Sequence, residues 1–502
     1  MTKAGLHIVS FVPLLALAGL SLASCAPPDS SSGGSGGRGS GGAGAGSGSG
    51  GVGSGGAQAS GGGPGASGGG VGSGGAANPG TGGSATGGAS AAGTTGRGGA
   101  SNASAGGTAG GAAGARGGGG NTAGAGGTSN APASPENGGA NCNASAGALK
   151  KNAKLPNPFA MHDGMVITTK AEWQCRRNEI LKDLEKYEIG PKPTPPTVQA
   201  TLSGKALSVK VTTASGTITL TSDVSGSGSC VVIGMNRASN LVSGCTQVPF
   251  SHDQVVTYSS NSTQNMSDPF YRVYPALFGK IGNYSAWAWG ISRLIDGLEQ
   301  VKSQLGIDTT KIATHGCSYA GKMSLFAGAL DERVALTVVQ ESGGGGINAW
   351  RTSQDFTART GTSIEKIDNT NFGWFMPSMK TLDPYSLPHD HHGLIAMIAP
   401  RATVILGNGD FEWLGDESGY KSTVAAIEVW KALGVADRIG YDFTSGHPHC
   451  EAAASQTAAV KTFVDRYLKG GTASPNVAVK PTSAEFNLDT AGVIDWPTPT
   501  LQ

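Results

Sequence analysis

Apolar positions follow three regimes along this chain. Ile8 to Leu20 is a nearly unbroken apolar run. Residues 31–140 show no helical or strand period and contain no Phe, Trp, Tyr or Lys. Beyond them, short apolar runs of strand length recur at Lys311–Thr314, Ala335–Gln340, Thr403–Leu406 and Ile439–Phe443. An earlier one ends in Ile233-Gly234-Met235-Asn236-Arg237. Helical segments are expected at Ala286–Arg293 and Lys322–Leu330. Trp287 and Trp289 lie two apart on the first of these, hence on different faces, and core packing is the expectation for both.

Composition explains the middle regime. Of the 84 glycines, 48 fall in residues 31–140. A segment without large apolar side chains cannot bury enough surface to offset chain entropy, so it has no fold of its own. As a Gly/Ser-rich coil its r.m.s. span is on the order of 55–60 Å. The remaining 362 residues, 141–502, suit one large α/β enzyme domain.

The first regime reads as a signal peptide over 1–24. Lys3 supplies the positive start, and Ala23 and Ser24 the small residues of a cleavage site. The apolar run is short for a membrane span and holds Pro13. Leu22-Ala23-Ser24-Cys25 looks like a bacterial lipobox, which makes Cys25 the expected lipidation site and new N-terminus. Ordinary cleavage, with secretion, is the alternative. Residues 25–140 then form a linker that holds the domain away from a membrane touched only by the lipid. The expected product is an exported monomer, at the cell surface or outer membrane or secreted.

Charge narrows the partners. Residues 1–135 hold Lys3, Arg38, Arg97 and Arg116 against Asp29, so 31 of the 35 basic and 33 of the 34 acidic residues follow them. No basic stripe stands out, which excludes nucleic acid as an expected partner. Seven cysteines are present: Cys25, Cys142, Cys175, Cys230, Cys245, Cys317 and Cys450. Six remain beside the lipid-bearing one, an even number that predicts three disulfides in an exported domain. Six cysteines allow 15 pairings, and spacing does not choose among them. No CxxC pair exists, which argues against a zinc ribbon.

The most informative stretch follows Lys311–Thr314. Gly316-Cys317-Ser318-Tyr319-Ala320-Gly321 leads into the helical Lys322–Leu330. Strand, tight turn, serine, helix is the setting of a nucleophile elbow, where only small residues fit around the serine. Gly316, Ala320 and Gly321 meet that need, although glycine stands three rather than two after Ser318. A serine cap on a plain turn is the competing reading. The helix start beneath Ser318 offers N–H groups and positive dipole to an oxyanion.

A serine hydroxyl needs a base, and the base needs a carboxylate to fix its tautomer. His447 and His449 both follow the strand Ile439–Phe443, and either suits the base. Acid candidates are Glu341, after Ala335–Gln340, and Asp410, Glu412 and Asp416, after Thr403–Leu406.

Gly316-Cys317-Ser318 with Gly321-Lys322, Gln340-Glu341-Ser342-Gly343, Trp350-Arg351, Asp390-His391-His392, Trp413-Leu414-Gly415 and His447-Pro448-His449-Cys450 form an ordered set. With Leu155–Phe159, Trp173–Arg177 and Ala286–Arg293, this set resembles the glucuronoyl esterases, carbohydrate esterase family fifteen, over most of 142–470. The resemblance implies an α/β-hydrolase fold, a three-layer αβα sandwich. It implies hydrolysis of the ester between 4-O-methyl-glucuronic acid on xylan and lignin alcohols, without metal or other cofactor. Ser318 matches the nucleophile, His449 the base and Glu341 the acid, one strand earlier than is usual. His447 is expected to have a loop or packing role. Lys322, Trp413 and Glu365 match sugar-contacting positions. Cys317–Cys450 and Cys142–Cys175 match the family's disulfides, and Cys230–Cys245 is left as a local pair.

One departure bears on the chemistry. The family usually carries arginine directly after the nucleophile, where this chain has Tyr319. A phenol donates one hydrogen bond and no charge; Arg237, after the early strand, is a candidate substitute. His389-Asp390-His391-His392 invites a metal reading, but consecutive residues do not all face one ion without a contorted loop. A general carbohydrate or small-ester hydrolase and a noncatalytic polysaccharide-binding surface protein are the alternatives.

Overall fold

A computed structural model describes residues 136–502. The expectations for the leader 1–24, for Cys25 and for the linker up to 135 lie outside the described residues.

In chain order the elements are α1 (Lys170–Tyr187), β1 (Thr197–Ser203), β2 (Ala206–Thr213), β3 (Gly216–Asp223), β4 (Val231–Met235), β5 (Thr246–Phe250), α2 (Pro269–Val273) and α3 (Asn283–Leu305). Then come β6 (Ile312–Cys317), α4 (Tyr319–Leu330), β7 (Val334–Gln340), α5 (Trp350–Thr360), α6 (His391–Ala396), β8 (Ala402–Leu406), α7 (Asp416–Ala432), β9 (Ile439–Asp442), α8 (Ala454–Tyr467) and β10 (Ala478–Val479).

Seven strands form the central sheet in the order β10-β9-β8-β7-β6-β4-β5. Every neighbouring pair is parallel. Parallel strands need cover on both faces, and the period-2 alternation supplies two apolar surfaces. Val231, Ile233, Val339 and Ile405 join the core beneath α3 and α4. Val232, Val338, Val404 and Leu406 join a second core with Val460, Phe463 and Val464 of α8. The result is the three-layer αβα sandwich of an α/β-hydrolase, as expected.

Several boundaries differ from the sequence reading. β6 runs on through Cys317, so the strand delivers the chain directly to Ser318, and α4 begins at Tyr319 rather than Lys322. The turn therefore has a single residue, which periodicity does not register. The helix expected at Ala286–Arg293 spans Asn283–Leu305; its Trp287 and Trp289 are fully buried on different faces, against His252 and Phe270 respectively. An antiparallel sheet, β1-β2-β3, packs on α3. The packed unit also starts before 141: Glu136 lies 2.5 Å from Lys192 and pairs with buried Arg293.

Candidate active site

The elbow is a consequence of close packing. Ser318 has φ 59° and ψ −128°, between the last residue of β6 and the first of α4. Its N–H donates to the Gln340 carbonyl at 3.0 Å, tying the turn to the end of β7. A Cβ on Gly316 would meet the Ala320 carbonyl oxygen at 2.1 Å, and one on Gly321 the Gln340 oxygen at 2.3 Å. Only glycine permits both approaches. The unusual spacing is thus explained: Gly321 clears the neighbouring strand's carbonyl.

Left-handed backbone concentrates here. Among the described residues, five non-glycines have positive φ, and Ser318, Glu341, Cys450 and Asn236 are four of them. Each such residue costs of order 1–3 kcal/mol and persists where its surroundings fix it. Disulfides contribute to that fixation: Cys317 is bonded to Cys450, whose Cα is 5.6 Å away across a sequence separation of 133. Cys142–Cys175 and Cys230–Cys245 are also formed.

The Cys317–Cys450 bond holds the residue before Ser318 against the residue after His449. Glu341 Oε2 accepts a hydrogen bond from His449 Nδ1 at 2.6 Å, and its Oε1 accepts from the Cys450 N–H at 3.1 Å. Glu341 is 1% exposed, so its charge acts on His449 with little screening by water. A carboxylate at Nδ1 fixes the tautomer that leaves Nε2 unprotonated, the state of a general base. Glu412 is exposed, and Asp410 accepts from the Gly446 N–H at 2.5 Å. Asp416 is buried; burial first, and the Glu341 charge second, push its carboxyl up to about 7.

Ser318 opens onto a cleft of about 360 Å³. Lys322, Glu365 and Trp413 all line it. Lys322 lies one turn along α4 from Ser318, 2.5 Å from Glu365 and 5.3 Å from the centre of the Trp374 ring. Glu365 also accepts from Thr370 Oγ1 at 2.6 Å. Trp413, 48% exposed, presents its ring to His449 at 4.8 Å between centroids, edge to face.

A model of the family described as "Glucuronyl esterase, fungi" matches residues 201–434. The 4-O-methyl-glucuronoyl methylesterase of Thermothelomyces thermophilus is 38% identical over 336 residues, 64% of this chain and 82% of that protein. The chain belongs to the glucuronoyl esterase family. It is a carboxylic ester hydrolase. The glucuronoyl esterase catalytic domain from Hypocrea jecorina superposes with a TM-score of 0.66 at 34% identity, covering 70% of this chain and 98% of that one. A serine-to-alanine mutant of the Sporotrichum thermophile glucuronoyl esterase, solved with methyl 4-O-methyl-β-D-glucopyranuronate, gives 0.65 at 34% identity, covering 72% and 100%.

The other singled-out residues of this esterase have structural partners. His447 Nε2 donates to the Thr444 carbonyl at 2.9 Å, and Asn408 Nδ2 donates to its Nδ1 at 3.1 Å. His389 and His391 both bond Glu188, at 2.9 and 2.7 Å. Asp390 pairs with Arg351 at 2.9 Å, and His392 bonds the Pro156 carbonyl at 2.7 Å. Four consecutive side chains thus face three different partners. The sulfurs of Cys317 and Cys450 lie with a His449 nitrogen within 4.8 Å, but they are bonded to each other and offer no thiolate. Arg237 sits exposed on the loop after β4. Sequence reasoning missed Trp374, Asn371 and the Ser342–Gly344 backbone, which also line the cleft. The glycine run 343–346 after Glu341 was the available signal for close backbone approach.

Proposed function

We propose that this esterase hydrolyses esters of 4-O-methyl-glucuronic acid, with Ser318 as nucleophile, His449 as base and Glu341 as the acid that orients it. The observation that carries the reading is the opening of Ser318 onto a cleft lined by Lys322, Glu365 and Trp413. A sugar offers hydroxyls to a buried ammonium and a half-buried carboxylate, and a flat apolar face to an indole. The relatives named for this chemistry, and the bound methyl glucuronate of one of them, support it.

Ser318 Oγ attacks the ester carbonyl while His449 Nε2 takes its proton. Charge collects on the carbonyl oxygen, near the first N–H groups of α4, which lack partners within the helix. Collapse breaks the bond to the alkoxy oxygen, and His449 returns the proton so that a neutral alcohol leaves. Water then attacks the acyl-enzyme, gives His449 a proton, and releases the uronate as Ser318 is reprotonated. The negative charge on Glu341 stabilises the imidazolium in both halves.

The natural alcohol is on the lignin side and the uronate on glucuronoxylan. The lipobox Leu22–Cys25 supports export and tethering of a monomer by a lipid on Cys25, with the Gly-rich segment as spacer. Among the described residues no helix is long and apolar enough to cross a membrane.

Turnover of methyl 4-O-methyl-glucuronate beside an acetylated xylo-oligosaccharide tests the substrate class. The glucuronate ester should have much the larger kcat/KM. Equal or faster loss of acetyl makes this a general carbohydrate esterase, and no turnover of either makes it a binding protein.

A further inference from the structure

Behind the glycine loop that lines the cleft stands a buried histidine that the reaction above does not use. His391 opens α6 and is fully buried. Its Nδ1 bonds the Gly346 carbonyl, and its Nε2 bonds Glu188 Oε1 at 2.7 Å. Glu188 Oε2 accepts from His389 Nε2 at 2.9 Å and from Trp350 Nε1 at 3.2 Å. Glu188 thus meets donors on both oxygens, and His391 meets an acceptor at each nitrogen, which only an imidazolium satisfies. Burial opposes charge on both side chains. The His391 charge and the hydrogen bonds from both histidines nevertheless hold Glu188 below the usual carboxylate range, and the Glu188 charge holds His391 above the usual histidine range.

The Gly346 carbonyl belongs to a loop that shapes the sugar side of the cleft. Ser342, Gly343 and Gly344 line it, and the Gly346 N–H closes the loop on the Gly343 carbonyl at 3.0 Å. A Cβ on Gly344 would meet the Glu365 carbonyl oxygen at 2.4 Å, so the loop seats the partner of Lys322. Gly344 also bridges to Asn348, whose Nδ2 donates to the Leu414 carbonyl at 2.7 Å, beside Trp413. The triad is held by other bonds. Glu341 donates its N–H to the Leu406 carbonyl at 2.8 Å and accepts from His449 and Cys450.

We propose that His391, as an imidazolium tied to Glu188, is a positioning residue that clamps the 342–346 loop and through it seats Glu365 and Trp413, setting substrate affinity rather than the chemical step. This rests on the cleft being the glucuronate site. The proton lost on titration is the one on Nδ1, because a carboxylate holds its donor more strongly than a carbonyl does. It passes to solvent, the Gly346 carbonyl then faces an imidazole lone pair, and the loop is released. Asp390, next in the chain, adds to the Glu188 charge at His391. Phe326 of α4 and Trp350 of α5 flank the ring at 6.3 and 4.9 Å. Among charged groups on the elements packed around it, Arg351 of α5 pairs with Asp390 and Lys322 of α4 with Glu365. On α1 Arg176 pairs with Glu179 and Asp183 with His162; on α7 Glu417 pairs with Lys421, and Asp416 faces Gly407.

The test is kcat and KM on methyl 4-O-methyl-glucuronate across pH for wild type, S318A, H391Q, G346A and E188Q, with circular dichroism checking each fold. S318A sets the floor; substantial activity in it overturns the site reading itself, separately from the clamp. With S318A inactive, G346A, whose Cβ would meet Ser342 Oγ at 2.4 Å, should raise KM roughly tenfold and leave kcat within a few-fold, and H391Q should match it. E188Q removes the charge that favours the imidazolium, so its KM should rise at lower pH than that of wild type. Proton–nitrogen correlation spectra should show an imidazolium, absent from H391Q, that keeps both protons about one pH unit above the ordinary histidine value near 6.5. No such imidazolium in wild type, wild-type KM in H391Q, a loss of kcat at unchanged KM in G346A, or superimposed E188Q and wild-type profiles would each overturn the clamp. His391 and Glu188 are buried, so G346A and the wild-type spectrum decide if H391Q and E188Q do not fold.

Discussion

Glu341 and His449 are 2.6 Å apart although Glu341 follows β7 and the other acid candidates follow its neighbour β8. The two loops emerge side by side from the C-terminal edge of the sheet. Cys450, bonded to Cys317 and donating its N–H to Glu341, draws the histidine loop toward the β7 side.

Glu341→Gln should therefore cut kcat by about 10⁴, as loss of the acid's charge does in comparable triads. Glu412→Gln should leave kcat near wild type. Steady-state kinetics of both variants check this; a mild Glu341→Gln beside a severe Glu412→Gln places the acid after β8.

Reduction should inactivate before it unfolds. The Cys317–Cys450 link closes a loop with a sequence separation of 133, and chain-entropy models give such links about 4–5 kcal/mol. Titrating a reductant while following activity and circular dichroism together reads the order; coincident loss of both contradicts it.

Lys322→Met should raise KM roughly tenfold and leave kcat within a few-fold, since a charge-assisted hydrogen bond to a sugar hydroxyl is present in ground and transition states alike. Lys322 is 6% exposed, so the variant's melting temperature is measured alongside. A fall in kcat at unchanged KM would assign Lys322 to the reacting atoms instead.

Asp416 makes stability depend on pH. Its Oδ2 has no hydrogen-bond partner among the described residues, and its carboxyl is pushed up to about 7. An unfolded aspartate titrates near 3.9, so between about 4 and 7 the folded state binds the extra proton. Stability on this account falls as pH rises through that window. Asp416→Asn should gain on wild type in melting temperature above pH 7 relative to pH 4; parallel curves across that range refute the assignment.

Much of the elbow was legible because its constraints are local. Gly316, Ser318 and Gly321 must occur within six residues for the turn to form, and the strands on either side are apolar runs. The acid was not decided by spacing, because two adjacent parallel strands end at the same edge and offer carboxylates to the same place; only the ordered motifs favoured Glu341. Trp374 was invisible for another reason. It lies in the long segment between α5 and α6, where no period marks which side chains turn inward. His252 has its partner Tyr319 67 residues away, and a lone histidine before a short turn carries no sign of that contact. The β1–β3 sheet did alternate in sequence, as its buried Leu207, Val209 and Val211 show, but threonine and serine dominate its outer face and mute the pattern.

Ser318→Ala tests the central claim most directly. The hydroxyl is partly exposed at the cleft, so its loss removes little packing while the acyl step depends on it. Turnover of methyl 4-O-methyl-glucuronate should drop to the background set by water, with the melting temperature almost unchanged. Activity retained above a few per cent of wild type, in a variant that melts normally, would contradict Ser318 as the nucleophile.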